Sequence, residues 1–144
     1  MLEKELETAI ALARSASERI LEYYADNIVA DQKLGIDNHY EPVTEADRTA
    51  SRIIAHGLNK AFRGDAVLSE EEDDDSSKRL ASSRVWIIDP IDGTAGFVKK
   101  DGDFGVQIGL AENGKAVLGV VMLPFHQTLY YAVRGNGAFI DRTG

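Results

Sequence analysis

The sequence contains no cysteine, which excludes disulfide bonds and thiolate metal sites. It also lacks any apolar stretch approaching about 18 residues, so we expect no membrane-spanning helix. The N-terminal segment alternates acidic with apolar side chains and lacks the basic region of a signal peptide. These absences favour a cytoplasmic protein.

Basic residues are also scarce, because 16 Lys and Arg against 24 Asp and Glu give a formal net charge of −8. Nucleic-acid polymers are bound mainly through Lys and Arg that neutralise phosphates, and no basic stripe is evident, so we expect no such partner. A small phosphorylated ligand is compatible with the acidic chain, since divalent cations can join carboxylates to phosphate. The 144 residues, 44% of them hydrophobic, are sufficient for one globular domain.

The spacing of apolar residues predicts two helices, one over residues 3–25 and one over about 44–62. Thr44 is the expected cap of the second helix, with Asp47 three residues later in place of the usual Glu or Gln of a capping box. The intervening residues 26–42 are rich in turn formers and predict a loop or a short hairpin.

From residue 66 onward the apolar period shortens toward two, which is typical of strands. We therefore predict an α+β fold, in which two N-terminal helices pack on a large, mostly antiparallel sheet over about residues 66–140. The acidic run 70–75, followed by two serines, predicts a solvated loop. The predicted strands cover about residues 66–68, 85–88, 104–110, 116–123, 128–133 and 137–140.

The segment RVWIIDPIDGTAGF drives an apolar run into two carboxylates, Asp89 and Asp92, followed at once by a glycine turn. Pro90 keeps Asp89 extended, because a residue before proline disfavours the helical conformation. Thr94 is placed to cap a short helical turn over residues 95–97. The simpler interpretation is that both aspartates are only strand-end and turn residues.

A metal site is the alternative interpretation of the same segment. The carboxylates of Asp89 and Asp92 and the carbonyl of Ile91 can converge on one point, and these hard oxygen donors suit Mg²⁺. The backbone amides at Gly93 and Thr94 can then face an anion. Glu70 and its neighbour also follow a strand-like run, so two strand ends bring acids together as a multi-metal phosphoryl site requires.

These motifs resemble those of the inositol monophosphatase superfamily, the lithium-sensitive, magnesium-dependent phosphomonoesterases. The superfamily signature of an Asp, a Glu-Glu and DP(I/L)DGT is matched by Asp47, by residues 70–71 and by residues 89–94. PVTEAD, VLSEE and the GTAGF tract look most like the 3′(2′),5′-bisphosphate nucleotidase branch, whereas inositol monophosphatases more often carry GEE and GTTNF. The resemblance implies the N-terminal portion of that fold.

The resemblance also implies two or three Mg²⁺ ions and their ligands. Glu70, Asp89 and the Ile91 carbonyl are expected to hold the first ion, Asp89 and Asp92 to share a second, and Glu70 to contact a weaker third. The metal-bound water is expected to attack phosphorus in line.

Three residues are expected to be catalytic by the same resemblance, namely Asp47, Glu70 and Thr94. Thr94, hydrogen-bonded to Asp47, is expected to orient the attacking water and to help remove its proton. The amides of Gly93 and Thr94 are expected to bind the substrate phosphate.

The substrate implied is a small phosphorylated metabolite, foremost adenosine 3′,5′-bisphosphate, which would yield AMP. Inositol 1-phosphate is the second candidate, and a catalytically incomplete, metal-binding fragment is the third possibility. Members of the superfamily run to roughly twice this length and carry a later WD-x-A-(A/G)-G motif that is not found here. We therefore expect this chain to be the N-terminal part of a phosphatase domain, with a missing C-terminal half or a second copy covering one face of the sheet.

Overall fold

The computed structural model describes residues 2–25, 45–72 and 76–142. The loop or hairpin predicted over 26–42, the Thr44 cap and the acids at 73–75 lie outside the described residues. None of the helices in the described ranges combines the length and apolar character that crossing a bilayer requires.

Two long helices occupy the first half of the chain. Helix α1 spans Glu3–Ala25 and helix α2 spans Glu45–Ala61, where helices were predicted over 3–25 and about 44–62. The buried face of each helix is dominated by small side chains, which lets the two helices approach each other closely. The fully buried alanines are Ala9, Ala13 and Ala16 of α1 and Ala46 and Ala50 of α2.

The second half forms one six-stranded sheet whose strands lie in sequence order. The first two strands are parallel and every later pair is antiparallel, so the predicted α+β fold with a mostly antiparallel sheet is confirmed. The strands are β1 (Ala66–Ser69), β2 (Arg84–Asp92), β3 (Gly105–Glu112), β4 (Lys115–Leu123), β5 (Thr128–Val133) and β6 (Ala138–Arg142).

Two short helices connect the first three strands. Helix α3, Ser76–Ala81, lies between β1 and β2, and helix α4, Thr94–Lys99, lies between β2 and β3. The second of these was predicted as a helical turn over residues 95–97 with Thr94 as its cap. The cap assignment was wrong: Gly93 occupies the N-cap position without a side-chain cap hydrogen bond, and Thr94 is the first residue of the helix. Helix α3 was not predicted, because six residues are too few to establish an apolar period. The two serines that were assigned to a loop are the first residues of this helix.

The core lies between the helix pair and one face of the sheet. Trp86, Leu110 and Leu118 are aligned across β2, β3 and β4 and are at most 5% exposed. Ile88 and Ile108 form the next row of the same face. Alternation along each strand therefore commits one face of the sheet to the helices.

The opposite face of the sheet carries apolar side chains that remain open. Ile87, Tyr130 and Ile140 are 49%, 42% and 47% exposed, and Tyr130 and Ile140 are direct cross-strand partners. We call this surface the open face, meaning Ile87, Val121, Tyr130 and Ile140 with the glycines between them. These apolar side chains are exposed on a chain whose two long helices both pack on the other face of the sheet.

A network around Arg84 joins four separate segments. Its guanidinium donates to Asp65 at 3.0 and 3.1 Å, to Glu5 at 2.8 Å and to Glu112 at 3.2 Å. The indole nitrogen of Trp86 donates to the same Asp65 carboxylate at 2.9 Å. Burial lowers the pKa of Arg84, but the hydrogen bonds to Asp65 and Glu5 outweigh that effect and raise it above its ordinary value.

Candidate active site

The parallel pair β1 and β2 places two acidic segments side by side at the carboxyl ends of these strands. We call this region the acidic edge, meaning Glu70, Glu71, Asp89 and Asp92. Ser69, the last residue of β1, is paired with Ile88 of β2. The next residues along the two strands are Glu70 and Asp89, so both leave the paired region at the same level. The structure therefore brings together segments that the sequence separates by 19 positions.

The end of β2 is irregular at this edge. Asp89 pairs with Gln107, but the next pairing joins Asp92 to Gly105, so β2 contains one more residue than β3 in that interval. Pro90 lies within it and has no amide hydrogen to offer a neighbouring strand. Such a bulge redirects the side chains that follow it. Here it returns Asp92, three positions after Asp89, to the same face of the sheet, because their partners Gln107 and Gly105 are alternate residues of β3.

The negative charges of the neighbouring acids affect the ionisation of the Asp89 carboxyl group. Its pKa is raised above the ordinary value, first by burial, then by the negative charge of Asp92 and then by that of Glu70. A backbone hydrogen bond at Ile91 acts in the opposite direction, and Glu71 makes a smaller contribution that raises the pKa further. The site thus concentrates negative charge around a partly buried carboxyl group.

Two hydrogen bonds hold the segment after Asp89. The Gln107 side-chain amide donates to the Asp92 carboxylate at 3.0 Å. The Thr94 hydroxyl donates to the carbonyl oxygen of Ile91 at 3.2 Å. Gln107 was missed in the sequence because only the register of β3 against β2 places it beside both aspartates.

The oxygen atoms of this edge fit magnesium in type. In the part of the chain that the structure describes, no three His, Cys, Asp or Glu side chains are close enough together to hold one metal ion jointly. The available donors are nevertheless the carboxylates of Glu70, Asp89 and Asp92 and the carbonyl of Ile91, all hard oxygens. A cation among them would relieve the repulsion that raises the pKa of Asp89.

The turn after Asp92 depends on glycine. Gly93 has φ 83° and ψ 43° and directly precedes α4, as predicted from the Asp-Gly sequence. A Cβ atom at Gly93 would lie 2.7 Å from the carbonyl oxygen of Asp103, and one at Gly96 would lie 2.4 Å from the same atom. The close approach of the 101–104 turn therefore fixes where α4 begins.

An aromatic cluster holds α4 against the end of α1. The ring of Tyr24 lies 5.4 Å from Phe97, 5.1 Å from Phe104 and 5.6 Å from Phe125. The ammonium group of Lys100 lies 4.8 Å from the centre of the Tyr24 ring and also donates to the Tyr24 carbonyl. These contacts position the segment that carries Gly93 and Thr94.

Asp47 lies in the first turn of α2 and is only 5% exposed. Helix α2 packs against both β1 and β2, the strands that end at the acidic edge. The predicted hydrogen bond between Asp47 and Thr94, and the catalytic roles assigned to both residues and to Glu70, stay predictions. So does the binding of phosphate by the amides of Gly93 and Thr94.

Comparison with known proteins identifies the family. The model of the Inositol monophosphatase family matches residues 1–143. The chain belongs to the inositol monophosphatase family. The resemblance inferred from the motifs is thereby confirmed.

This member of the inositol monophosphatase family is similar in sequence to known phosphatases over most of its length. It is 39% identical over 131 residues to the 3′(2′),5′-bisphosphate nucleotidase CysQ of Salmonella typhimurium, covering 91% of this chain and 52% of that protein. It is 38% identical over 137 residues to the histidinol-phosphatase of Chlorobaculum parvum, covering 95% of this chain and 51% of that protein.

A solved structure gives the same result. The crystal structure of CysQ from Bacteroides thetaiotaomicron, a bacterial member of the inositol monophosphatase family, is 38% identical, with a TM-score of 0.81 over 98% of this chain and 50% of that one. The chain thus spans about half the length of the relatives that it matches.

Proposed function

We propose that the protein acts as a Mg²⁺-dependent phosphomonoesterase on a small phosphorylated metabolite, with adenosine 3′,5′-bisphosphate as the preferred substrate and AMP as the product. The observation that supports it most directly is the acidic edge, where the pairing of Ser69 with Ile88 brings Glu70 and Asp89 to the same level. Burial, and then the charges of Asp92 and Glu70, raise the pKa of Asp89 there. Family membership supports the same activity. Action in the cytoplasm stays part of this proposal.

We assign the metal ligands to Glu70, Asp89, Asp92 and the Ile91 carbonyl, for two or three Mg²⁺ ions. When bound, Mg²⁺ supplies charge neutralisation for the phosphate oxygens and lowers the pKa of a coordinated water. A carbonyl oxygen has two lone pairs, so Ile91 can serve as a ligand while it accepts the Thr94 hydroxyl. Gln107 fixes the Asp92 carboxylate from the neighbouring strand.

The remaining groups handle the proton and the phosphate. Thr94 orients the attacking water, and the buried Asp47 accepts the proton of that water by way of the Thr94 hydroxyl. For this transfer the hydroxyl turns from the Ile91 carbonyl, to which it donates in the structure, toward Asp47. The amides of Gly93 and Thr94 hold the phosphate, because amide groups in the first turn of a helix have no acceptor within that helix.

The choice of substrate rests on the relatives. The similarity to CysQ of two organisms favours a nucleoside bisphosphate. The description of the family favours inositol 1-phosphate as the second candidate. Because the chain spans about half of these relatives, we propose that further residues, outside these 144, complete the second metal site and the substrate pocket; a metal-binding piece without turnover is the alternative.

A substrate panel tests the proposal. Phosphate release is measured with adenosine 3′,5′-bisphosphate, inositol 1-phosphate and histidinol phosphate at equal concentrations, with Mg²⁺, with EDTA and with added Li⁺. We expect the bisphosphate to be hydrolysed fastest, and only with Mg²⁺. Faster release from inositol 1-phosphate would replace the preferred substrate by the second candidate.

Calorimetry with Mg²⁺ on the same preparation separates the remaining alternative. Binding of Mg²⁺ without turnover of any substrate would identify a metal-binding piece. Turnover in EDTA, or no binding of Mg²⁺, would contradict the proposed metal dependence.

A further inference from the structure

A pair of buried serines joins α2 to the end of β1. The hydroxyl oxygens of Ser51 and Ser69 lie 2.9 Å apart, and the two residues are 0% and 4% exposed. Each hydroxyl can both donate and accept a hydrogen bond, so either oxygen can be the donor. We call this contact the serine bridge. Neither serine has a role in the proposed function so far.

The serine bridge acts on the residue from which the acidic edge begins. Ser69 is the last residue of β1, and Glu70 follows it directly. The backbone amide of Glu72 donates to the Ser69 carbonyl at 3.2 Å, which closes a turn with Glu70 and Glu71 at its centre. Ser69 thus holds α2 through its side chain and the turn through its carbonyl, so a displacement of Ser69 would also displace the Glu70 side chain.

The helix side of the serine bridge carries Asp47. Asp47 and Ser51 are four positions apart on α2 and both are buried, so they lie on one face of the helix. Residues 62–65 connect the end of α2 to the beginning of β1, so both serines lie away from this connection. Asp47 lies one turn further, roughly 6 Å beyond Ser51, on the side where the chain passes from Ser69 to Glu70. One hydrogen bond therefore sets the levels of both acids.

We propose that Ser51 and Ser69 are positioning residues for the acidic edge. The serine bridge fixes the position of Glu70, the proposed metal ligand, and its level relative to Asp47, the proposed proton acceptor. The inference rests on the proposed function, because both of these assignments come from there. Neither serine contacts the metal or the substrate in this scheme, and each acts through the residue that it holds.

A role in stability alone is the competing explanation, and removal of one or both hydroxyls separates the two. Ser51→Ala leaves the buried Ser69 hydroxyl without this partner, which lowers the melting temperature. Ser51→Ala/Ser69→Ala removes both partners and should restore much of the melting temperature, because no buried hydroxyl of the pair is left over. The serine bridge is broken in both variants, so positioning predicts that the affinity for Mg²⁺ stays low in the double variant although stability returns.

Calorimetric titration with Mg²⁺ and thermal unfolding of the same preparations test the inference. We expect both variants to bind Mg²⁺ about tenfold or more weakly than the unaltered chain, since loss of a contact that orients a metal ligand has an effect of this size. The matched control is Ser17→Ala on α1. Ser17 is 2% exposed, and within residues 2–25, 45–72 and 76–142 its hydroxyl is the one buried side-chain polar group without a hydrogen-bond partner. Its replacement should leave the affinity within about twofold, because it takes no part in the serine bridge.

Hydrogen exchange without Mg²⁺ provides a second readout that does not depend on the metal. The Glu72 amide donates to the Ser69 carbonyl, so we expect it to exchange about threefold or more faster in the double variant than in the unaltered chain. Amides in the middle of β4 report unfolding of the whole chain and provide the reference rate.

Four results would overturn the inference. They are Mg²⁺ affinity that follows the melting temperature across the variants, equal affinity in the unaltered chain and the double variant, equal weakening with Ser17→Ala, and exchange of the Glu72 amide that changes no more than that of β4. Absence of Mg²⁺ binding by the unaltered chain would instead overturn the metal assignment of the proposed function, and this inference with it.

Circular dichroism checks that each variant keeps its fold. Should the double variant fail to fold, Ser51→Cys replaces it, because a thiol is only a weak hydrogen-bond donor and is tolerated in a buried position. The same weakening of Mg²⁺ binding and the same faster exchange are then expected, and their absence would overturn the inference.

Discussion

Asp89 combines two opposed requirements. As a proposed metal ligand it must be ionised, yet burial and the charges of Asp92 and Glu70 raise its pKa and favour the neutral form. A carboxyl group in this situation gains more from a bound cation than an exposed one does, because the cation removes the repulsion as well as adding attraction. Asp89 is therefore the most sensitive position of the site.

Replacement of Asp89 by Asn should lower phosphatase activity by about a hundredfold or more, since a shared ligand is lost while the shape is kept. The measurement is phosphate release at saturating Mg²⁺. Asp103→Asn, which removes one charge from an exposed aspartate, is the control and should retain most activity. Full activity of Asp89→Asn would refute the ligand assignment.

Asp65 is the second sensitive residue, for structural reasons. It is 8% exposed and accepts hydrogen bonds from both Arg84 and the buried indole of Trp86. Asp65→Ala should lower the free energy of unfolding by about 2–4 kcal/mol, because the buried indole of Trp86 loses its acceptor and the partly buried guanidinium of Arg84 loses one of its three. Urea unfolding measures it.

The control for Asp65 is Glu112→Ala, which removes the partner of Arg84 whose side chain is 32% exposed. Its cost should stay below about 1 kcal/mol. Equal losses in the two variants would show that the network, rather than the burial of Asp65, determines the effect.

Residues that directly follow a strand-like run could be predicted from the sequence, whereas those that only strand register brings to the site could not. Asp89, Asp92 and Gly93 lie within five positions of the chain, and local turn chemistry was enough to place them on a strand end, as the preceding apolar run was for Glu70. Gln107 and Asp65 contact the site or the core only because of strand register and long-range packing. No local pattern contains that information.

Helix α4 shows how an element of six residues is positioned by its neighbours. Its start was predictable from Asp-Gly-Thr, but its orientation comes from the aromatic cluster at Tyr24 and from the turn at 101–104. The length of β2 was underestimated for a related reason. Pro90 ends an ideal strand in the sequence pattern, whereas the bulge lets β2 continue to Asp92.

Gly96→Ala tests the packing of α4. A Cβ atom there would meet the Asp103 carbonyl at 2.4 Å, and backbone cannot move aside as a flexible side chain can. We expect a loss of about 1–3 kcal/mol in the free energy of unfolding, measured by thermal or urea unfolding. Gly64→Ala is the control, because nothing lies within 4 Å of its added Cβ; an equal loss there would contradict the packing argument.

In the molecule as a whole, one face of the sheet is covered by helices and the other is open. Its helices cover one face of the sheet, while Tyr130 and Ile140 of the open face are exposed on the other. Its relatives are about twice as long, and a covering by further polypeptide or by a second copy stays a prediction. The fold class followed from the order of helices and strands, but the residues that the open face exposes emerged only with the register.

The chain of 144 residues should bind an apolar dye and self-associate with rising concentration through the open face. Tyr130→Thr/Ile140→Thr should reduce both, because it removes a directly paired patch from β5 and β6. Dye fluorescence and sedimentation velocity measure the effect. Leu80→Thr, at a side chain that is 78% exposed on α3, is the control; an equal reduction there would exclude the open face as the cause.

Mg²⁺ should raise the melting temperature, because a cation that binds only the folded chain stabilises it, by about 2.7 kcal/mol at a hundred times its dissociation constant. Differential scanning calorimetry measures the melting temperature in Ca²⁺-free buffer that contains Mg²⁺, with and without EDTA. The shift should vanish in Asp89→Asn. An undiminished shift in that variant would place the stabilising ion elsewhere.

Strand β1 is the outermost member of the sheet, four residues long, and it supplies the chain that leads into Glu70. Outer strands detach more readily than inner ones. The proposed metal site can therefore lose Glu70 through local unfolding of β1 while the helices and the middle strands stay folded. Binding of Mg²⁺ should thus stabilise β1 against local unfolding. Amide hydrogens of residues 66–69 should exchange more slowly with the ion present, whereas those of β4 should hardly respond.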